Sequence, residues 1–90
     1  MLRMPSLLLG VYRHYKGKLY RVIAIGRHSE TEEPLVIYQG LYDSPEFGDR
    51  PWWVRPLASF QERVEIDGVT QPRFTYLGEN EAAPTNASTV

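Results

Sequence analysis

The chain has 90 residues, 42% of them apolar and 12% aromatic, with a net charge of −1. That length allows one domain with a compact core. The absence of cysteine excludes disulfides, thiolate metal sites and a cysteine nucleophile, and the near-zero charge gives the whole molecule no general attraction to nucleic acid or an anionic membrane.

Leu7-Leu8-Leu9 is far short of the ~18–20 apolar residues that span a bilayer. Residues 1–9 also carry no small-residue cleavage pattern, so they read as a lead-in to a cytoplasmic protein. Residues 10–15 and 19–27 are β-rich runs around the short turn Lys16-Gly17-Lys18, which predicts a hairpin. Both faces of 19–27 are largely apolar, as suits a central strand, and Gly26 predicts a bulge or close approach at its end. A third strand is expected over 35–42, then an exposed loop at 43–51, rich in proline and acids.

Trp52-Trp53-Val54-Arg55 reads as a short fourth strand that Pro56 ends, since proline donates no ladder bond. Leu57-Ala58-Ser59-Phe60 suits a single helical turn. Residues 64–66 and 69–74 flank Asp67-Gly68, whose residue types fit the positive φ angles of a two-residue hairpin turn. From residue 78 to 90 the chain is small, polar and aperiodic, which predicts a disordered tail behind a single domain over 10–77. Five to six short strands and one helical turn predict an all-β fold, closed into a small SH3-like barrel.

Charge is unevenly spread. Residues 11–27 hold Arg13, Lys16, Lys18, Arg21 and Arg27 and no acid, whereas 30–49 hold Glu30, Glu32, Glu33, Asp43, Glu46 and Asp49 and no base. Paired as neighbouring strands, these segments neutralise each other across the sheet, at ~0.2–1 kcal/mol per pair. The other reading is a polarised binding face.

The polar connection from His28 to Pro34 is the expected centre of any site. A binding groove is expected from His28, Glu30, Glu33, Tyr38, Trp53 and Arg55, with His14 and Arg73 at its edge. In it the aromatics pack against a ligand and the planar fork of Arg55 holds an anionic group. Alternatively Arg55 pairs internally with Glu30 or Glu33. No cofactor is expected. Partners suited to such a groove are a peptide, a nucleotide or a small anion, with nucleic acid not indicated by net charge. One alternative is a small metal-dependent or acid–base hydrolase in which His28, Glu30, Glu33 and His14 offer nitrogen and oxygen donors. Another is a structural homodimer that buries surplus aromatics between subunits.

Several of these segments together resemble a known family. They are Tyr12-Arg13-His14-Tyr15-Lys16-Gly17, Tyr20-Arg21-Val22, residues 27–33, Leu41-Tyr42, Trp53-Val54-Arg55-Pro56, Phe60 and Pro72-Arg73-Phe74. In this order they are similar to the bacterial domain-of-unknown-function family 1653 (DUF1653). The resemblance spans about residues 10–74 and implies a small SH3-like barrel, with no assigned activity. The acidic 43–51 loop and the extra Trp52 depart from the short family form.

Overall fold

The computed structural model describes residues 7–79. The strands are β1 (Gly10–His14), β2 (Leu19–Arg27), β3 (Pro34–Gly40), β4 (Asp43–Ser44), β5 (Gly48–Asp49) and β6 (Trp52–Pro56). The helical turn α1 (Leu57–Phe60) follows, then β7 (Arg63–Ile66), β8 (Val69–Pro72) and β9 (Phe74–Gly78). Five of them make one antiparallel sheet in the order β6-β3-β2-β1-β9, while β4–β5 and β7–β8 are separate hairpins. The edge strands β6 and β9 share no ladder, so the expected closed barrel is replaced by an open sheet with the two hairpins beside it.

Alternation along the strands decides the rest. The inner face carries Tyr12, Val22, Val36, Tyr38 and Phe74, all buried, and α1 lays Leu57 and Phe60 over it. Spaced three apart, those two residues fall on one side of the turn, leaving Ala58 exposed. Aromatic rings do much of the packing: Phe60 meets Tyr12 and Tyr38 edge-on at 5.3 and 5.4 Å. Edge-to-face pairs of this kind add about 0.5–1.5 kcal/mol each beyond burial. Tyr12 keeps its hydroxyl satisfied by donating to the Leu8 carbonyl at 2.7 Å.

Asp67 and Gly68 both have positive φ, as the two-residue turn between β7 and β8 requires. Three expectations are corrected. The ladder irregularity of β2 falls at Ile23, between Val22 and Ala24, and not at Gly26. Residues 43–51 are largely exposed as expected but not an irregular loop throughout, because Asp43 and Ser44 pair with Asp49 and Gly48. Residues 69–74 do not form one strand. Arg73 donates its N–H to the Glu62 carbonyl and accepts from the Tyr15 N–H, both at 2.9 Å, so the chain leaves the β7–β8 hairpin there and joins the sheet. Across the β2–β3 ladder itself, Arg21 faces Gln39 and Arg27 faces Pro34. The expected lead-in and tail lie, for residues 1–6 and 80–90, outside the described residues.

Candidate functional site

The eight expected groove residues separate into two sets. His28, Glu30 and Glu33 lie in the β2–β3 turn, which is tied to itself. The His28 N–H donates to the Glu33 carbonyl at 2.9 Å, and the Glu32 N–H to the His28 carbonyl at 2.8 Å. The His28 imidazole Nδ1 accepts from the Glu30 and Thr31 N–H groups at 3.1 and 3.3 Å. Thr31 Oγ1 accepts from the Glu33 N–H at 3.2 Å. This polarity shapes a turn in which Glu32 adopts φ 66°, and Glu30 and Glu33 point into solvent. His14 sits at the opposite end of β2 and caps the β1–β2 turn in the same way, its Nδ1 accepting the Lys16 N–H at 3.1 Å. The two histidines therefore do not meet. Among the described residues, no three His, Asp or Glu side chains are placed to hold one metal ion.

His14, Tyr38, Trp53, Arg55 and Arg73 do come together, on the inner face. In register, β3 and β6 set Tyr38 opposite Trp53 and Val36 opposite Arg55, while β1 and β9 set His14 opposite Phe74. The Arg55 Nε donates to the Tyr38 hydroxyl and its Nη1 to Ser59 Oγ, both at 3.1 Å, with the guanidinium carbon 5.7 Å from the Phe74 ring centre. Neither Glu30 nor Glu33 pairs with it. Among the described residues no carboxylate lies within ion-pair distance of Arg55, which is half-buried. Arg73 is held by the Ser59 carbonyl at 3.1 Å and by Glu62 at 2.9 Å.

Rings surround this pair. Tyr20 packs edge-on against Tyr38, Tyr42 and Phe74 at 5.4, 5.4 and 5.7 Å. Trp53 donates its indole N–H to the Tyr42 hydroxyl at 3.2 Å, and Tyr42 donates onward to the Tyr20 hydroxyl at 3.3 Å. Burial pushes the Tyr20 phenol well above its ordinary value, so it stays protonated. Lys18 stands 4.4 Å from the Tyr42 ring centre, and Phe47 of the β4–β5 turn meets the edge of Trp53 at 5.2 Å. His14 contacts Tyr15 and Phe74 at 4.5 and 4.9 Å. Burial lowers its pKa, and the charges of Arg55, Arg73 and Lys16 lower it further.

Tyr38 is core more than groove lining, at 5% exposure, and it acts through its hydroxyl. Ser59, Tyr20, Tyr42 and Phe74 belong to the cluster although the expected groove did not include them. The alternation of β2 hints at Tyr20. Nothing local marks Ser59. Chemically the cluster is a donor-rich, positively charged patch framed by aromatic rings. A surface depression bordered by Leu9, Arg21, Ile23 and Glu79 lies apart from it. No helix among the described residues is long and apolar enough to cross a membrane.

No functionally curated protein matches the chain. A crystal structure of a protein from Bordetella bronchiseptica, described as belonging to DUF1653, is similar at 37% identity and a TM-score of 0.74. The match covers 83% of this chain and 92% of that one. The family described as "Protein of unknown function (DUF1653)" matches residues 10–76. With most of its length matched, and with a relative this similar, the chain belongs to the DUF1653 family.

Proposed function

We propose that this protein is a binding module whose ligand, a peptide, a nucleotide or a small anion, is anchored through an anionic group at Arg55. One observation carries the reading. A half-buried guanidinium is held in place by two neutral hydroxyls, Tyr38 and Ser59, with no carboxylate to balance it. Such a charge gains most when a carboxylate or phosphate occupies its fork. The Trp53, Tyr42 and Tyr20 rings supply the apolar wall beside it. His28, Glu30 and Glu33 have no part in anchoring in this reading.

The same reading takes the fold as an SH3-like barrel left open. Four strands pair in sequence, β1-β2-β3-β6, the helical turn follows the fourth, and β9 returns beside the first. Small β-domains of this type hold ligands on exposed rings with a few polar groups.

The test is an amide-correlation NMR titration at low salt with acetate, inorganic phosphate and a mixed peptide library. Shifts of the Trp53 indole and of residues 14, 38, 55 and 73, lost in Arg55→Met, are the expected result. A protein that responds to none of the three at these positions is not an anion-anchoring module. Self-association is a second reading, favoured by Trp52 and Val54, which are about 60% exposed on the outer side of the edge strand β6. A concentration-independent monomer mass in light scattering removes it.

A further inference from the structure

Two guanidinium groups from different elements converge on one residue. Arg55, on β6, donates to the Ser59 hydroxyl, and Arg73, in the link between β8 and β9, donates to the Ser59 carbonyl, each at 3.1 Å. Among the described residues a single carboxylate offsets them: Glu62 bonds Nη2 of Arg73 at 2.9 Å, and its side chain is 60% exposed. Like charges held side by side at a half-buried site repel more than they do in open water. His14 faces both arginines from β1, with Lys16 in the turn that follows and the Tyr20 and Phe74 rings against it. Because its Nδ1 accepts the Lys16 N–H, the neutral ring carries its proton on Nε2 and adds a donor to the patch.

The shape of this charge discriminates among anions. A carboxylate has one charge and two oxygens in a plane, enough to fill one guanidinium fork. A phosphate monoester carries about −1.5 to −2 charges and three terminal oxygens, enough to engage both arginines at once. A phosphodiester has one charge and two free oxygens, and resembles the carboxylate in this respect. Glu62, mostly in solvent, is free to leave Nη2 as a stronger acceptor arrives.

We propose that Ser59 marks a subsite for a phosphate monoester, bridged by Arg55 and Arg73. The proposal rests on Arg55 as the anchor and adds the class of anion that it holds.

The experiment is calorimetric titration of the full chain at low ionic strength with inorganic phosphate, a nucleoside 5′-monophosphate, phosphoserine, acetate and a dinucleoside joined by an internal diester only. The monoester or free phosphate is expected to bind about tenfold or more tightly than acetate or the diester, the scale of one additional charge-assisted hydrogen bond. Tighter binding of the nucleotide or of phosphoserine than of inorganic phosphate identifies which group extends the ligand, and equal binding makes the ion itself the ligand. Arg73→Lys, with an unchanged melting temperature, is expected to weaken phosphate about tenfold or more. Glu62→Gln removes the competing carboxylate and is expected to strengthen it. Equal affinity for acetate and phosphate, or no gain in Glu62→Gln, overturns the phosphate subsite and leaves the anchoring role of Arg55 intact. No binding of any anion overturns both.

Discussion

Phe60 lies flat on Phe74, with ring centres 4.0 Å apart and planes 5° apart. The contact joins α1 to the first residue of β9, and so joins the helical turn to the strand that completes the sheet. Both rings are buried. Phe60→Ala and Phe74→Ala are each expected to cost about 3–5 kcal/mol, a large part of the stability of a small domain. Urea denaturation measures this, and a loss under about 1 kcal/mol for either would show that the stack is dispensable.

Arg55 should behave in the opposite way. Its partners are neutral, its nearest charges repel it, and methionine fills much the same volume. Arg55→Met is therefore expected to change stability by no more than about 1 kcal/mol while removing anion binding. Equilibrium urea melts beside the NMR titration separate the two effects. A loss above about 3 kcal/mol would mark Arg55 as a structural strut.

His14 makes the fold sensitive to mild acid. Burial, then the charges of Arg55, Arg73 and Lys16, hold its pKa below the ordinary 6.5. Between the lowered value and 6.5 the unfolded chain binds more protons than the folded one, so stability is complete above that window and falls as pH drops through it. Protonation also removes the acceptor for the Lys16 N–H. Thermal melts from pH 7.5 to 5 are expected to show a falling Tm. The slope should flatten in His14→Gln, whose amide oxygen replaces Nδ1 as acceptor. An equal slope in the variant assigns the effect to other groups.

Gly40 is the narrow point beneath the tyrosine cluster. A Cβ there meets the Tyr42 ring, its Cε2 at 2.5 Å and its Cζ at 2.7 Å. Gly40→Ala is expected to push Tyr42 away from Trp53 and Tyr20, at a cost of about 1–3 kcal/mol. Tryptophan emission reports the lost indole hydrogen bond, and an unaltered spectrum with full stability would contradict this packing.

Much of the fold was readable because local signals agree. The doubly apolar β2, the Asp67-Gly68 turn and the Leu57/Phe60 spacing each point to the element that forms. The misreadings share a cause, since tertiary partners outweighed local composition. Pro45, Pro51 and Gly48 mark a loop by type, yet Asp43 and Asp49 pair. Phe74 continues an apparent strand, yet the bonds of Arg73 to Glu62 and Tyr15 move it to another sheet. The site shows the same limit. Arg55 and Arg73 were visible as forks seeking an acceptor, but their meeting at Ser59 depends on a helical turn and a strand switch that no local pattern encodes. His28 and its glutamates, the most polar stretch, were most conspicuous because a six-residue turn needs its own acceptors.

The pairing of β9 with β1 sets Tyr12 against Tyr76 and His14 against Phe74, joining positions about sixty residues apart. A nascent chain can assemble the β1-β2-β3-β6 meander as it emerges, but one flank of β1 stays open until β9 leaves the ribosome. Closing so long a loop is entropically slow, and such non-local pairings delay folding. Phe74 arrives with that strand, and with it the ring that His14 and Arg55 pack against. The surface around Arg55 is thus completed only when β9 joins β1, and a chain truncated before residue 74 would carry both tryptophans and Arg55 without the ring that Arg55 and His14 pack against.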